Sequence, residues 1–299
     1  MLLKVEVFFM LKLFKRLLLS AIIAAILLVG FITFSGYKLY ESAISTASIK
    51  DKVELIQAQE DYIKLADIPD IYKNAVIAVE DHRFKEHGGI DLIATVRAIV
   101  SNISEGELGQ GGSTITQQLA KNLYFTQEKK FTRKVAELFV AFDLERDFSK
   151  DEILELYINT IYYGKGYYGL VEACEGFYKK YPSDMTNYES TFLAGIPNAP
   201  SIYSSEKNFE LARQRQKQVL DAMVKRGYLT QKEADEIYSS ASSFSCNLLS
   251  TPSLINAYNI DATGTLIAIP GIPHSAPPTV TATSTHIPGK PTELPTTFG

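Results

Sequence analysis

The chain has 299 residues, 46% hydrophobic and 21% charged, which is enough apolar material for one or two folded domains. Its formal net charge of −4 lacks the basic excess of a general nucleic-acid binder. Two cysteines, Cys174 and Cys246, are too few for a disulfide framework and read as unpaired thiols.

Leu17 to Phe34 is an uncharged, mostly apolar run long enough to cross a bilayer as one helix. Lys4, Lys12, Lys15 and Arg16 precede it, which places residues 1–16 in the cytoplasm by the positive-inside rule. A cleaved signal peptide is the competing reading. Phe31, Phe34 and Tyr37 make a poor small-residue cleavage site, so a retained anchor over 17–35 is preferred. Residues 36–66 are polar, mixed in charge and without a strong period. They are expected to form a partly helical stalk.

From residue 67 the punctuation is helical. Pro69 can open a helix, and Ile71, Tyr72, Ala75, Val76 and Val79 repeat at helical spacing behind it. Glu80 then falls in the last turn, where the negative end of the helix dipole disfavours a charged carboxylate and should raise its pKa. A carboxylate so placed suits a general base. Asp91 can cap a helix with Ile93, Val96, Ile99, Val100 and Ile103 on one face; core burial is the preferred reading and membrane contact the alternative. A glycine-rich loop over 105–112 follows. Thr114/Gln117, Ser149/Glu152, Thr186/Glu189 and Thr230/Glu233 have capping-box spacing, each before an apolar-periodic run. A helix from Glu210 to Arg226 should stop at Gly227. No alternating strand pattern appears before the C-terminal segment, so an all-α domain over 67–240 is expected. Residues 241–299 turn rich in Pro, Thr and Ser without core-forming period, and are expected to be a disordered tail.

Four stretches carry chemistry. The first holds Glu80, Asp81, Phe84, His87 and Gly89. The second runs from Gly111 to Asn122 and includes Ser113, Thr114, Gln117, Gln118 and Lys121. The third holds Arg133, Lys134, Glu137, Ala141, Leu144 and Glu145. The fourth holds Lys150, Ile153-Leu154-Glu155 and Tyr157-Ile158-Asn159. In this order they resemble the signature motifs of the peptidoglycan glycosyltransferases, which polymerise a lipid-linked cell-wall disaccharide. The resemblance covers residues 67–240. It implies a lysozyme-like lobe with a small membrane-proximal lobe, lipid II and the growing glycan strand as substrates, and the outer face of a bacterial plasma membrane as the site of action. Cell-wall synthesis proteins are the partners it suggests.

A sugar leaving as a lipid diphosphate needs positive charge more than a proton, because a diphosphate is already a stable anion. The attacking sugar hydroxyl still has to lose its proton. One base and a cationic cradle are therefore the minimum. Glu80 is the expected base. Lys121 and Arg133, with Lys134 behind them, are the expected diphosphate ligands, since guanidinium and ammonium groups pair well with phosphate oxygens.

Glu137 shares a helix face with Arg133 and Lys134. The resemblance makes it the second catalytic carboxylate, acting through a divalent cation (Mg or Mn, with Glu80 or Glu137 as ligand) or by holding the cations in place. Ser113, Thr114, Gln117 and Gln118 are expected to bind sugar and phosphate at a helix start. Asp81 is expected to orient neighbours or bind substrate. His87 should pack the following turn, and His82 should lie on the surface. Gly164, Gly166 and Gly169, among Tyr162, Tyr163, Tyr167 and Tyr168, suggest a loop in a glycan groove. The Ser-x-x-Lys at Ser204 to Lys207 lacks the partner motifs of a penicillin-binding transpeptidase, so a monofunctional enzyme is expected. A lysozyme-like hydrolase or lytic transglycosylase, and an inactive membrane-anchored homologue, are the alternatives.

Overall fold

The structure is a computed structural model that describes the backbone of residues 2–105, 112–125, 130–240, 258–260 and 266–268. Side chains are described for residues 9–10, 12–98, 112–125 and 130–240. The chain divides into two compact units, Met1–Ser242 and Ser243–Gly299.

The first unit opens with α1 (Leu2–Thr46), one uninterrupted helix of 45 residues. Leu17, Ile26, Leu27, Phe31 and Phe34 along it are exposed, and the helix is long and apolar enough to cross a membrane. Next comes α2 (Ile49–Gln57), started by a capping box between Ser48 and Asp51 that the sequence reading did not single out. Residues 36–66 are largely helical, as expected, but they also pack on the domain. Ile49, Val53 and Ile63 are buried. The Asn159 side chain accepts from the Ile63 N–H at 2.9 Å and donates to its carbonyl at 2.9 Å. Glu155 accepts from the Leu65 N–H at 2.7 Å.

The four motifs then fall on or beside the helices that follow. Pro69 is the N-cap of α3 (Asp70–Glu80), whose face of Tyr72, Ala75, Val76, Ile77 and Ala78 is buried. The Asp91 carboxylate accepts from the Ala94 N–H at 2.9 Å and so starts α4 (Leu92–Glu105). Thr114 caps α5 (Ile115–Tyr124), and α6 (Phe131–Asp147) carries the third motif. Capping boxes open α7 (Lys150–Thr160) at Ser149/Glu152, and α9 (Asn187–Gly195) at Thr186/Glu189, with α8 (Leu170–Tyr178) between them. After the short α10 (Pro200–Tyr203) comes α11 (Phe209–Lys225). Gly227, at φ +75°, ends α11, where the Tyr228 N–H reaches back to the Met223 carbonyl at 3.0 Å. A last capping box, Thr230/Glu233, opens α12 (Gln231–Ser239).

Packing forms two groups. One is α5 against α6 and α7; the other is α3 against α9 and α11. Leu119, Ala120, Val140, Leu144, Ile153 and Leu156 fill the first, and Ala75, Val76, Leu193 and Val219 the second. Among the described residues the domain is all-α apart from one small hairpin, where β1 (Tyr162–Gly164) pairs antiparallel with β2 (Tyr167–Tyr168). Lys165 and Gly166 both take positive φ at its turn, as a tight hairpin requires. The glycine-and-tyrosine segment expected as a loop is this hairpin.

The α4 face differs from the preferred expectation. Leu92, Ile93 and Val96 are 70%, 61% and 59% exposed, so this part of the face is not core. The side chains of Ile99, Val100 and Ile103 lie outside the described residues. Of the second unit, β3 (Tyr258–Ile260) pairs antiparallel with β4 (Leu266–Ala268). The rest of the expected tail, with Cys246, lies outside the described residues.

Candidate active site

A cleft of about 660 Å³ opens between the C-terminal end of α3, the N-terminal end of α5 and one face of α11. Glu80 stands in its wall with a largely buried side chain. One carboxylate oxygen accepts from Gln118 Nε2 at 2.9 Å, and the other faces an Arg215 guanidinium nitrogen at 3.3 Å. Gln118 is itself held by the Tyr157 hydroxyl at 3.3 Å. The carboxylate is therefore aimed from two sides.

Asp81, the next residue, turns inward. Its Oδ2 accepts from the Ile115 N–H at 3.0 Å, and its Oδ1 lies 2.8 Å from His87 Nε2. Both oxygens are used to fix the start of α5 and the turn before Gly89, and Asp81 also lines the cleft. Thr114 does cap α5, accepting from the Gln117 N–H at 3.1 Å. Its capping box is only half made, because Gln117 Nε2 donates to the Gly89 carbonyl at 3.1 Å. Gln117 is thus buried and braces the Gly89 turn; it does not line the cleft.

Ser113, Thr114, Gln118 and Lys121 line the cleft. Burial pushes the Lys121 amine below its ordinary pKa; the Glu137 and Glu80 carboxylates act the other way, and Arg133 and Lys134 reinforce the lowering. Lys134 Nζ donates to Ser113 Oγ at 2.8 Å and reaches Glu137 at 3.0 Å. Arg133 lies 2.7 Å from the other Glu137 oxygen. Glu137 is almost fully buried, so its charge is neutralised by two cations rather than by water. One connected array results: Glu80 and Lys121 in the cleft, and Lys134, Glu137 and Arg133 joined to it through Ser113.

Four further polar cleft residues escaped the sequence reading: Arg97, Asn198, Arg215 and Gln218. Arg215 stands four residues before the buried Val219, but α11 also carries Arg213 and Lys217, so nothing local in the sequence set it apart. His82, expected on the surface, lines the cleft. Burial, with the nearby Arg226 and Arg97 charges, lowers its pKa from the usual imidazole value.

Asp81, His87 and Asp91 bring potential metal ligands within 4.8 Å of one another. A cation there would have to part His87 from Asp81. The carboxylates expected to hold a divalent ion, Glu80 and Glu137, already face Arg215 and the Arg133/Lys134 pair respectively. As arranged, those two do not fit a metal.

The helical domain thus carries a buried carboxylate–cation array joined to a cleft that holds a second carboxylate. Residues 48–224 match the transglycosylase family, and the chain belongs to that family. Penicillin-binding protein 1A of Neisseria lactamica is 43% identical over 180 residues, which is 60% of this chain and 23% of that protein. Penicillin-binding protein 1F of Bacillus subtilis is 39% identical over 234 residues, 75% of this chain and 33% of the relative. The chain thus spans about a quarter to a third of the length of these relatives. Among solved structures, penicillin-binding protein 1A from Haemophilus influenzae aligns at 21% identity and TM-score 0.35, covering 59% of this chain and 17% of that one.

Proposed function

We propose that this chain polymerises a lipid-linked disaccharide-pentapeptide, lipid II, into β-1,4 peptidoglycan strands. The anomeric centre inverts and undecaprenyl diphosphate leaves. The observation that carries this reading is the array itself: a braced carboxylate and a buried ammonium share one cleft, with two further cations joined behind them.

In this reading Glu80 takes the proton from the acceptor sugar's 4-hydroxyl as its oxygen attacks the donor's anomeric carbon. Gln118 and Arg215 hold the carboxylate in line. Negative charge gathers on the departing diphosphate, and Lys121, Lys134 and Arg133 meet it. Their arrangement is fixed before the reaction, so little reorganisation is needed when the charge appears. Glu137 orients the two α6 cations and offsets their mutual repulsion. Ser113 and Gln118 contact sugar or phosphate beside them, while Asp81, Thr114 and Gln117 act indirectly by holding the start of α5.

Placement at a membrane supports the same reading. The apolar run from Leu17 to Phe34 rises roughly 27 Å as a helix, about one hydrocarbon core. Two residues later Gly36 touches Thr132 and Val135 on α6, which flank Arg133 and Lys134. The cationic pair therefore stands where the helix leaves the bilayer, at the level of a lipid's diphosphate. Phe131 is 82% exposed next to it. We place residues 1–16 in the cytoplasm and the domain on the outer face of a bacterial plasma membrane. The test is incubation of the full chain with lipid-linked disaccharide in detergent or vesicles. Polymer supports the reading, whereas cleavage of preformed glycan without polymer supports a hydrolase.

A further inference from the structure

The contact between α1 and α6 is closer than tethering requires. A Cβ built on Gly36 would lie 2.6 Å from both Cβ and Cγ1 of Val135 and 2.9 Å from the Thr132 carbonyl oxygen. No side chain larger than hydrogen fits there without moving one helix. Around this point Tyr37 and Tyr40 pack on Phe139 at 5.3 and 5.5 Å between ring centres. The Tyr40 hydroxyl donates to Asp143, one turn further along α6. The anchor helix is thus seated on the side of α6 that backs Arg133, Lys134 and Glu137. By contrast, Gly30, six residues earlier on α1, has nothing within 4 Å.

We propose that Gly36 is a positioning residue for glycosyl transfer: the membrane anchor seats directly on α6 and sets where Arg133 and Lys134 stand relative to the cleft. This rests on the glycosyltransferase reading above. Well-packed helices move as rigid bodies, so a clash at Gly36 displaces α6 instead of being absorbed locally. A displacement of an ångström at groups that meet a developing charge is enough to slow the reaction by one to two orders of magnitude, roughly.

The test compares the full chain with Gly36→Ala, Gly30→Ala and Gly36→Ala/Val135→Gly in vesicles, reading turnover of lipid-linked disaccharide, affinity for undecaprenyl diphosphate and thermal stability. Expected are a fall in turnover of about tenfold or more for Gly36→Ala, a weaker lipid-diphosphate affinity, an unchanged Gly30→Ala, and partial recovery in the double variant, which removes the two Val135 atoms the new methyl meets and leaves the Thr132 carbonyl oxygen at 2.9 Å. A purely structural defect would lower the melting temperature of Gly36→Ala and leave the turnover and lipid-diphosphate affinity of its folded fraction unchanged. Wild-type turnover and affinity in Gly36→Ala, or loss without rescue, would overturn the proposal. If the wild-type chain makes no polymer, the glycosyltransferase reading fails by itself, and the lipid-diphosphate affinities still decide the role of Gly36.

Discussion

Arg215 Nη2 lies 3.3 Å from a Glu80 carboxylate oxygen, although 135 residues separate them. The contact fastens α11 to the end of α3 inside the cleft and gives the proposed base a fixed direction. Replacing Arg215 with Ala should lower kcat by about tenfold or more, since an unbraced carboxylate samples unproductive rotamers. Arg215→Lys should retain more activity, because the charge stays while the fork geometry is lost. Steady-state kinetics of both variants check this; equal and unimpaired rates would remove Arg215 from the role.

Lys121 gives a pH prediction. Its pKa is lowered by burial from 10.5, so the ammonium is lost on the alkaline side earlier than from an ordinary lysine. Turnover should therefore fall as pH rises, before 10.5 is reached, and Lys121→Arg should move that fall to higher pH. The stability effect has the opposite sense. Between the folded and unfolded pKa values the unfolded chain binds more protons, so this group's contribution to stability rises with pH across that window. Rate–pH profiles of wild type and Lys121→Arg, with melts over the same range, check both signs.

Much of this site was legible because its residues act through local sequence. The end of the helix at Glu80, the Thr114 cap and the spacing of Arg133, Lys134 and Glu137 are all set within a turn or two. Arg215 was not legible, since its place beside Glu80 depends on how α11 docks against α3. The exposed Ile93 and Val96 show a different limit, because helical periodicity marks an apolar face without saying whether protein or lipid covers it. Gln117 has capping-box spacing, yet the Gly89 carbonyl, 28 residues away in the chain, takes its amide. The hairpin at Tyr162–Gly164 was too short to show alternation.

Asn159 tests where the folded unit begins. Its amide satisfies both backbone groups of buried Ile63. Asn159→Ala should destabilise the domain by about 3 kcal/mol, the cost of leaving such groups unpaired. For the same reason a chain starting at residue 48 should keep the domain fold, whereas one starting at residue 67 should not. Chemical denaturation and circular dichroism check these outcomes.

The α4 surface tests the membrane reading apart from the anchor. A chain starting at residue 36 should still float with anionic vesicles through Leu92, Ile93, Val96 and Phe131. Changing Leu92 and Ile93 to Ser should release it, at roughly 1.5–3 kcal/mol of transfer free energy per side chain. Flotation of the double variant at the level of the unmodified chain would place lipid contact elsewhere.

The central claim is that Glu80 is the base of a glycan-polymerising reaction. Glu80→Gln keeps an oxygen to accept from Gln118 and nearly the same volume, and removes the proton acceptor. The decisive measurement is polymer formed from lipid-linked disaccharide by wild type and Glu80→Gln, with melting temperature and undecaprenyl diphosphate binding recorded on the same samples. The account predicts polymer from wild type and a loss on the order of a thousandfold in the variant, with folding and binding retained. Polymer from Glu80→Gln at a near-normal rate would contradict it.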